Sequence, residues 1–372
     1  MSELIDALIS SGDKQGGYKV ELDGQSGVIE TPGLRGDATN FTEILAECGF
    51  DPEHFEIEGS PRLSKWQSPS GEWLTSYRIR VREIRDEDEA ANIGDLIAFI
   101  HDPASFPQPG VTNSPLPTVF AVGDTQLGKR DGDGTPGTVE RFRQSVDAAV
   151  ELYRQHPTNS VVIAFLGDLV EGYVSQGGRT AAFSDLTLTE QLRLMRHLAT
   201  YAIQEFRKEC GDVHIVTAPG NHGDTLRSPF VSKPSDNYDV DVIRAVEEAF
   251  DMAGITGLTF HYPQGEDLSV AVEVGGVGIL CAHGHMWKKG QHWKWWQGQA
   301  FGGRPGHDAQ YLLCGHLHHL HIEASSDRLF IQVPAMESRS EWYEHRTGER
   351  GNPGAVYFIA GRNGQPINLA VV

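Results

Sequence analysis

The chain has 372 residues, 39% of them apolar, which is enough for a sizeable core and, by length, for two or three domains. With 31 Lys and Arg against 51 Asp and Glu it carries a net charge of −20, so its surface as a whole repels polyanions. This excludes a protein that coats DNA by bulk charge, but not a metal-dependent nuclease whose contacts are local. The four cysteines (Cys48, Cys210, Cys281, Cys314) form no CxxC pair, as expected of a reducing compartment. The N-terminal MSELIDALISSGDK has no basic start followed by an apolar run, and no stretch approaches the length of a membrane span. The expectation is a soluble cytoplasmic protein with no membrane partner.

In chain order, residues 1–85 predict a small α+β module. Tyr18 to Leu22 and Val28 to Thr31 read as short strands, and Asn40 to Cys48 as a helix closed by Gly49. Trp73 to Glu83 reads as a strand, with Ile79 and Val81 alternating against Arg78, Arg80 and Arg82. An acidic run, Asp86 to Glu89, precedes Pro103, Pro107, Pro109, Pro115 and Pro117. This composition predicts a linker over 86–117, because proline disrupts long helices and central strands.

From 118 to 372 the pattern is that of one α/β domain. Apolar runs at 118–122, 161–166 and 213–218 predict buried strands. Each is followed by a helix: one opening at Thr135-Pro136, one carrying Leu192, Met195, Ala199, Ala202 and Phe206 on one face, and one ending at Gly254. Strand patterns then dominate, at 268–274, 278–282, 311–313, 329–333 and 355–359. Alternating strands and helices followed by a strand-rich half predict an α/β sandwich with sheets inside and helices outside.

Five polar motifs sit where apolar strands end. They are Gly123-Asp124-Thr125-Gln126, Gly167-Asp168-Leu169-Val170-Glu171, Gly220-Asn221-His222, His283-Gly284-His285 and Gly315-His316-Leu317-His318. In open α/β sheets, ligand sites gather outside the carboxyl ends of strands, so five such loops can assemble one cage. Mixed Asp, Asn and His donors suit manganese, iron or zinc. A lone motif of this kind is commonly only a turn; the ordered set carries the signal.

That ordered set resembles the calcineurin-like metallophosphoesterases, over roughly residues 118 to 335. The resemblance implies a calcineurin-like metallophosphoesterase sandwich with two sheets flanked by helices, and two divalent metal ions. Asp124, Gln126, Asp168 and His318 would hold the first ion. Asp168, as a bridge, with Asn221, His283 and His316 would hold the second. Within His283-Gly284-His285 both histidines fit, and His283 is the one chosen. His222 would face the scissile phosphate as general acid, with Glu171 orienting it. The family expects His at position 126. Gln offers an amide oxygen instead, which predicts a weaker first site that favours manganese or magnesium over zinc.

Asp-Arg-Gly, the protein-phosphatase continuation of the second motif, is absent; the chain reads Glu171-Gly172-Tyr173. The first motif extends to Asp124-Thr125-Gln126-Leu127-Gly128-Lys129, similar to the Asp-x-His-Leu-Gly-Lys of SbcD-like nuclease subunits of double-strand-break repair complexes and their phage-encoded relatives. The resemblance implies a phosphodiesterase acting on DNA, exo or endo, and by analogy an ATPase partner. The 117 residues before the metal domain and the 54 after His318 depart from that group. Substrate contacts are expected from Arg227 and from HMWKKGQHWKWWQG (285–298), where Trp293, Trp295 and Trp296 alternate with lysines and can either stack bases or pack a lid. Two alternatives remain at this stage: a small-substrate phosphodiesterase or phosphatase, such as one for a cyclic nucleotide, and a catalytically weakened scaffold.

Overall fold

The structure is a computed structural model, and it describes residues 18–23, 26–35, 41–48, 50–52, 55–83, 92–100, 114–174, 184–226, 232–338, 348 and 351–372. The chain divides into two compact units, Met1–Ala90 and Ala91–Val372.

The first unit is an antiparallel sheet with one short helix. Its strands are β1 (Lys19–Asp23), β2 (Ser26–Glu30), β3 (Leu34–Arg35), β4 (Phe55–Ile57), β5 (Arg62–Gln67) and β6 (Trp73–Glu83), with α1 (Phe41–Glu47). β6 is the spine. Its eleven residues are long enough to pair with β2, β3, β4 and β5, and β1 pairs with β2. The period-2 pattern explains which face is inside. Tyr77, Ile79 and Val81 are buried with Ile29, Ile44, Leu45 and Phe50, while Arg78 and Arg80 are exposed.

The second unit begins with α2 (Ile93–Ile100). This helix lies in the stretch expected to be a linker. The acidic run and the prolines obscured it, but Ile93, Leu96 and Ile97 recur at helical spacing and pack against the main core. The alternating part follows: β7 (Thr118–Val122), α3 (Gly134–Gln155), β8 (Val161–Phe165), α4 (Leu188–Glu209), β9 (Val213–Thr217), α5 (Tyr238–Met252) and β10 (Leu258–His261). Then come β11 (Ser269–Val274), β12 (Val277–Ala282), α6 (His292–Phe301), β13 (Tyr311–Cys314), β14 (His321–Ser325), β15 (Arg328–Gln332), β16 (Val356–Ala360) and β17 (Pro366–Val371).

These strands form two sheets, in the orders β10-β9-β8-β7-β16-β17 and β11-β12-β13-β15-β14. β7 to β10 run parallel, as do β12, β13 and β15. Alternate residues of β7 go to opposite layers. Phe120 and Val122 join α3, α4 and α5, whereas Val119 and Ala121 join the core between the sheets with Val270, Ile279, Leu313 and Ile331. The outer face of the second sheet is covered by α6 through Trp296. The result is the expected α/β sandwich of two sheets flanked by helices.

Candidate metal centre

The five motifs follow β7, β8, β9, β12 and β13, which are parallel within their sheets, so their carboxyl ends share a rim. Backbone bonds zip the first two loops together. Asp124 N–H donates to Gly167 O at 3.0 Å, Gln126 N–H to Asp168 O at 2.9 Å, and Glu171 N–H to Leu127 O at 2.9 Å. The motif glycines follow from close approach. A Cβ at Gly220 would lie 2.2 Å from Asp168 N, and one at Gly315 would lie 2.4 Å from Asp124 Oδ2. Among the described residues, eight non-glycines have positive φ, and five of them are Asp124, Gln126, Asp168, His316 and His318. Such a conformation costs about 1–3 kcal/mol each and is retained where the surroundings enforce it, as at ligand clamps.

Asp168 is the hub, and it is almost fully buried. Its Oδ2 lies 3.0 Å from His283 Nε2 and 3.9 Å from His222 Nε2, and its Oδ1 accepts from His222 N–H at 2.7 Å. His283 Nδ1 donates to Leu166 O at 2.8 Å, which turns Nε2 inward, the arrangement by which metal-ligating imidazoles are oriented. His316 Nδ1 lies 3.2 Å from His283 Nε2. Among the described residues, Asp168, His283 and His316 form the one group of three such side chains whose donor atoms all lie within 4.8 Å of one another. Asn221 Oδ1 is buried without a hydrogen-bond partner beside this loop set, as a carbonyl ligand awaiting a cation would be. These residues fit a divalent ion. His285 is placed differently: its ring centroid is 5.5 Å from that of His283 and 6.2 Å from that of His316. Of the two candidates, it is His283 that meets Asp168.

Electrostatics follow the burial and the paired charges. Burial opposes charge on Asp168, yet His283 and His222 hold its carboxyl far below the usual carboxylate range. Burial likewise disfavours protonated His283, but Asp168 and Asp124 outweigh it and raise the pKa to about 9. In His316, burial and the neighbouring His283 act together and push the pKa down to about 4, leaving a neutral ring. His222 has burial against it, but Asp168 and Glu171 bring its pKa up to about 9. Its Nδ1 lies 3.2 Å from Glu171 O, which can accept its hydrogen bond, and 3.2 Å from Glu171 Oε2, which faces it as a charge.

The remaining expected ligands, Asp124, Gln126 and His318, meet one another. Asp124 is fully buried, its Oδ2 accepts from His316 N–H at 2.8 Å, and its Oδ1 lies 3.2 Å from His318 Nε2. Gln126 Nε2 lies 3.2 Å from the same His318 nitrogen.

Three functional neighbours carry no motif signal. Asp239, fully buried at the start of α5, accepts from Asp168 N–H, Leu169 N–H and Gly220 N–H, each at 2.9 Å, and so ties two ligand loops together. Asn237 caps the same helix and donates to Gly220 O at 2.9 Å. Glu337 lies 2.8 Å from His318 Nδ1 and 2.5 Å from Lys129 Nζ. An Asn-x-Asp helix start, as at 237–239, was the one available hint for Asp239 and Asn237, and it is a common capping pattern.

The tryptophan segment divides. Trp296 is 1% exposed, stacks on Trp293 at 5.5 Å, and donates from Nε1 to Gly306 O at 3.3 Å. It is a core residue of the second sheet's outer layer, so of the two alternatives for Trp296 it packs and does not offer its ring to a base. Trp293 and Trp295 are half-buried, and Lys288, Lys289 and Lys294 are exposed. Arg227 lies outside the described residues. Among the described residues no helix is long and apolar enough to cross a membrane.

No family model matches the sequence, and no curated protein matches it. Solved structures do align. One is a protein from Streptococcus pneumoniae TIGR4 described as a predicted phosphoesterase, at 12% identity over 65% of this chain and 80% of that one, with a TM-score of 0.26. Another is an archaeal phosphodiesterase, at 13% identity over 68% and 99%, with a TM-score of 0.32. A third is Vps29 complexed with zinc from Entamoeba histolytica, at 13% identity over 65% and 84%, with a TM-score of 0.30.

Proposed function

We propose that this chain is a metal-dependent phosphodiesterase of the calcineurin-like kind and that its substrate is nucleic acid. The observation that carries the reading is the convergence of Asp168, His283 and His316 donor atoms within 4.8 Å, beside the His222–Glu171 pair. Asp168, Asn221, His283 and His316 would hold one divalent ion. Asp124, Gln126 and His318 line the neighbouring position. A divalent ion so held lowers the pKa of water and draws in phosphate oxygens.

The chain's own residues supply the rest. His222 keeps a proton because Asp168 and Glu171 raise its pKa to about 9. Glu171 anchors Nδ1, which leaves Nε2 to deliver that proton to a leaving oxygen as general acid. The nucleic-acid assignment draws on the Asp124-to-Lys129 extension and on half-buried Trp293 and Trp295 among exposed lysines, a combination suited to stacking and phosphate contact. Manganese is the ion proposed first.

The test is a substrate panel with each of manganese, magnesium, iron and zinc: single-stranded DNA, duplex DNA, a cyclic nucleotide and a nitrophenyl phosphodiester. Hydrolysis of the cyclic nucleotide alone would remove the nucleic-acid assignment. No hydrolysis of any phosphoester with any metal would remove the enzymatic reading.

A further inference from the structure

A polar hollow lies in the first unit, built from residues with no part in the metal centre. Its position follows from the pairing around β6. Arg78 and Arg80 are exposed and share one face of that strand, about 7 Å apart along it. Arg62, the first residue of β5, stands directly opposite Arg78 and so lies on the same face. Glu58 N–H donates to Arg80 O at 2.9 Å, which holds the connection between β4 and β5 against β6. The connection then turns at Gly59, with φ 74°. Between them these segments leave a hollow of about 390 Å³, bordered by Val28, Glu58, Ser60, Arg62, Arg78 and Arg80.

Like charges directly opposite in an antiparallel pair destabilise a sheet, and Arg62 and Arg78 are such a pair. Glu30, across from Arg78 on β2, offsets this only in part. Its Oε1 lies 3.4 Å from Arg78 Nη1 with 43% and 57% of the two side chains exposed, and an ion pair so open to water contributes little. Three arginines against Glu30 and Glu58 leave one net positive charge here, in a chain of net −20. An anion seated between Arg62 and Arg78 turns the repulsion into attraction, because each guanidinium presents a planar fork of donors that matches phosphate. Ser60 adds a hydroxyl donor. Among the described residues Val28 is the one apolar side chain at the hollow, so a base finds no stacking partner there. One stands farther along the same face. Arg62, Ser64 and Trp66 alternate on one side of β5, and Trp66, 42% exposed, lies opposite Leu74, about 13 Å along the strand from Arg62. A Cβ at Gly33 would come within 2.8 Å of the Trp66 ring, so the bare glycine makes room for the indole on this face.

We infer that this face of the first unit binds single-stranded nucleic acid, with backbone phosphate held by Arg62, Arg78 and Arg80 and a base stacked on Trp66. For the class of anion this rests on the proposed nucleic-acid substrate. Arginines that fix phosphate and an exposed indole that takes a base are the two components of single-strand binding, and neither reads sequence. A duplex keeps its bases stacked on one another and leaves no ring face for Trp66. The site is local, so it operates despite a surface that repels polyanions as a whole.

Binding of a labelled oligothymidylate to the full-length chain in chelator, followed by fluorescence anisotropy over a series of salt concentrations, tests this without reference to turnover. The wild type is expected to bind, with the logarithm of affinity falling linearly with the logarithm of salt concentration. Arg62→Ala and Arg80→Ala are each expected to weaken binding and to reduce that slope by about 0.7, one phosphate contact fewer. Neither should lower the melting temperature, because both side chains are exposed and Arg62→Ala also removes a like-charge pair. Trp66→Ala is expected to weaken binding about 5- to 150-fold with the slope unchanged; should it unfold the first unit, the arginine variants decide. An Arg62→Ala/Arg78→Ala/Arg80→Ala variant that keeps the wild-type affinity and slope would overturn the inference. So would thymidine monophosphate competing as strongly as the strand, which would mark a site for free nucleotide. A wild type that binds no strand in chelator yet cleaves DNA once metal is added would overturn it and leave the nuclease reading standing. Strand binding that the triple variant loses, with no hydrolysis in any metal, would uphold this face and remove the enzymatic reading.

Discussion

Asp239→Ala probes how the ligand loops are held. The wild-type carboxylate accepts three backbone N–H groups at 2.9 Å, from Asp168, Leu169 and Gly220. Left buried without an acceptor, each N–H costs about 1–3 kcal/mol, or roughly 6 kcal/mol for the three at mid-range. An opposing effect must be subtracted. Burial and the nearby Asp168 carboxylate raise the Asp239 pKa from 3.8 to about 6. At about 1.4 kcal/mol per pH unit, keeping it ionised costs about 3 kcal/mol at neutral pH. The hydrogen-bond loss therefore wins, and Asp239→Ala should destabilise the metal-free second unit by about 3 kcal/mol at pH 7. The folded pKa lies above the unfolded one, so the ionisation cost is absent below about pH 4 and complete above about pH 6 to 7. The gap between wild type and variant should consequently be wider at pH 5 than at pH 7. Urea unfolding in chelator at both pH values measures it. An equal gap between wild type and variant at both pH values, or a wider gap at pH 7, would refute the reasoning.

Asp168→Asn removes the charge at the hub of the site and should abolish both metal retention and hydrolysis; a variant that keeps its ion and its rate would show that the hub is misassigned. His222→Ala should cut turnover about 10²–10⁴-fold on a natural diester and less on a nitrophenyl ester, whose leaving group needs no proton; equal losses on both would argue against proton delivery. Trp295→Ala should weaken single-strand binding by about 1–3 kcal/mol with little change in stability. Trp296→Ala, by contrast, should cost about 3–5 kcal/mol of stability because it empties a buried site; the opposite allocation between these two would mean that α6 presents its other face to the substrate.

The secondary structure of the larger unit was written in local patterns. Runs such as TVFAV and VVIAF are apolar at every position because β7 and β8 are covered on both faces, by helices on one and by the second sheet on the other. Helical spacing of Met195, Ala199, Ala202 and Phe206 similarly marked the buried face of α4. The motif glycines were legible as part of the motifs, but the reason for them is tertiary: a side chain at Gly220 would collide with Asp168, and one at Gly315 with Asp124. What the local pattern could not carry was pairing between distant residues. Asp239 meets Asp168 across 71 positions, and His283 meets Leu166 across 117. That second contact, made only in the folded chain, is what turns His283 rather than His285 toward Asp168. Glu337 belongs to no motif, yet it lies against both His318 and Lys129. Trp293 and Trp296 are three residues apart on one helix and looked equivalent, but their exposure depends on how α6 lies on the second sheet. Sequence by itself determined which strands are buried and which polar loops end them, because backbone sterics and apolar periodicity act over a few residues. Only tertiary structure decided which side chains those loops bring into contact, and so that Gln126 gives its oxygen to Lys129, because hydrogen bonds and ion pairs form wherever folding brings their partners together, regardless of distance along the chain.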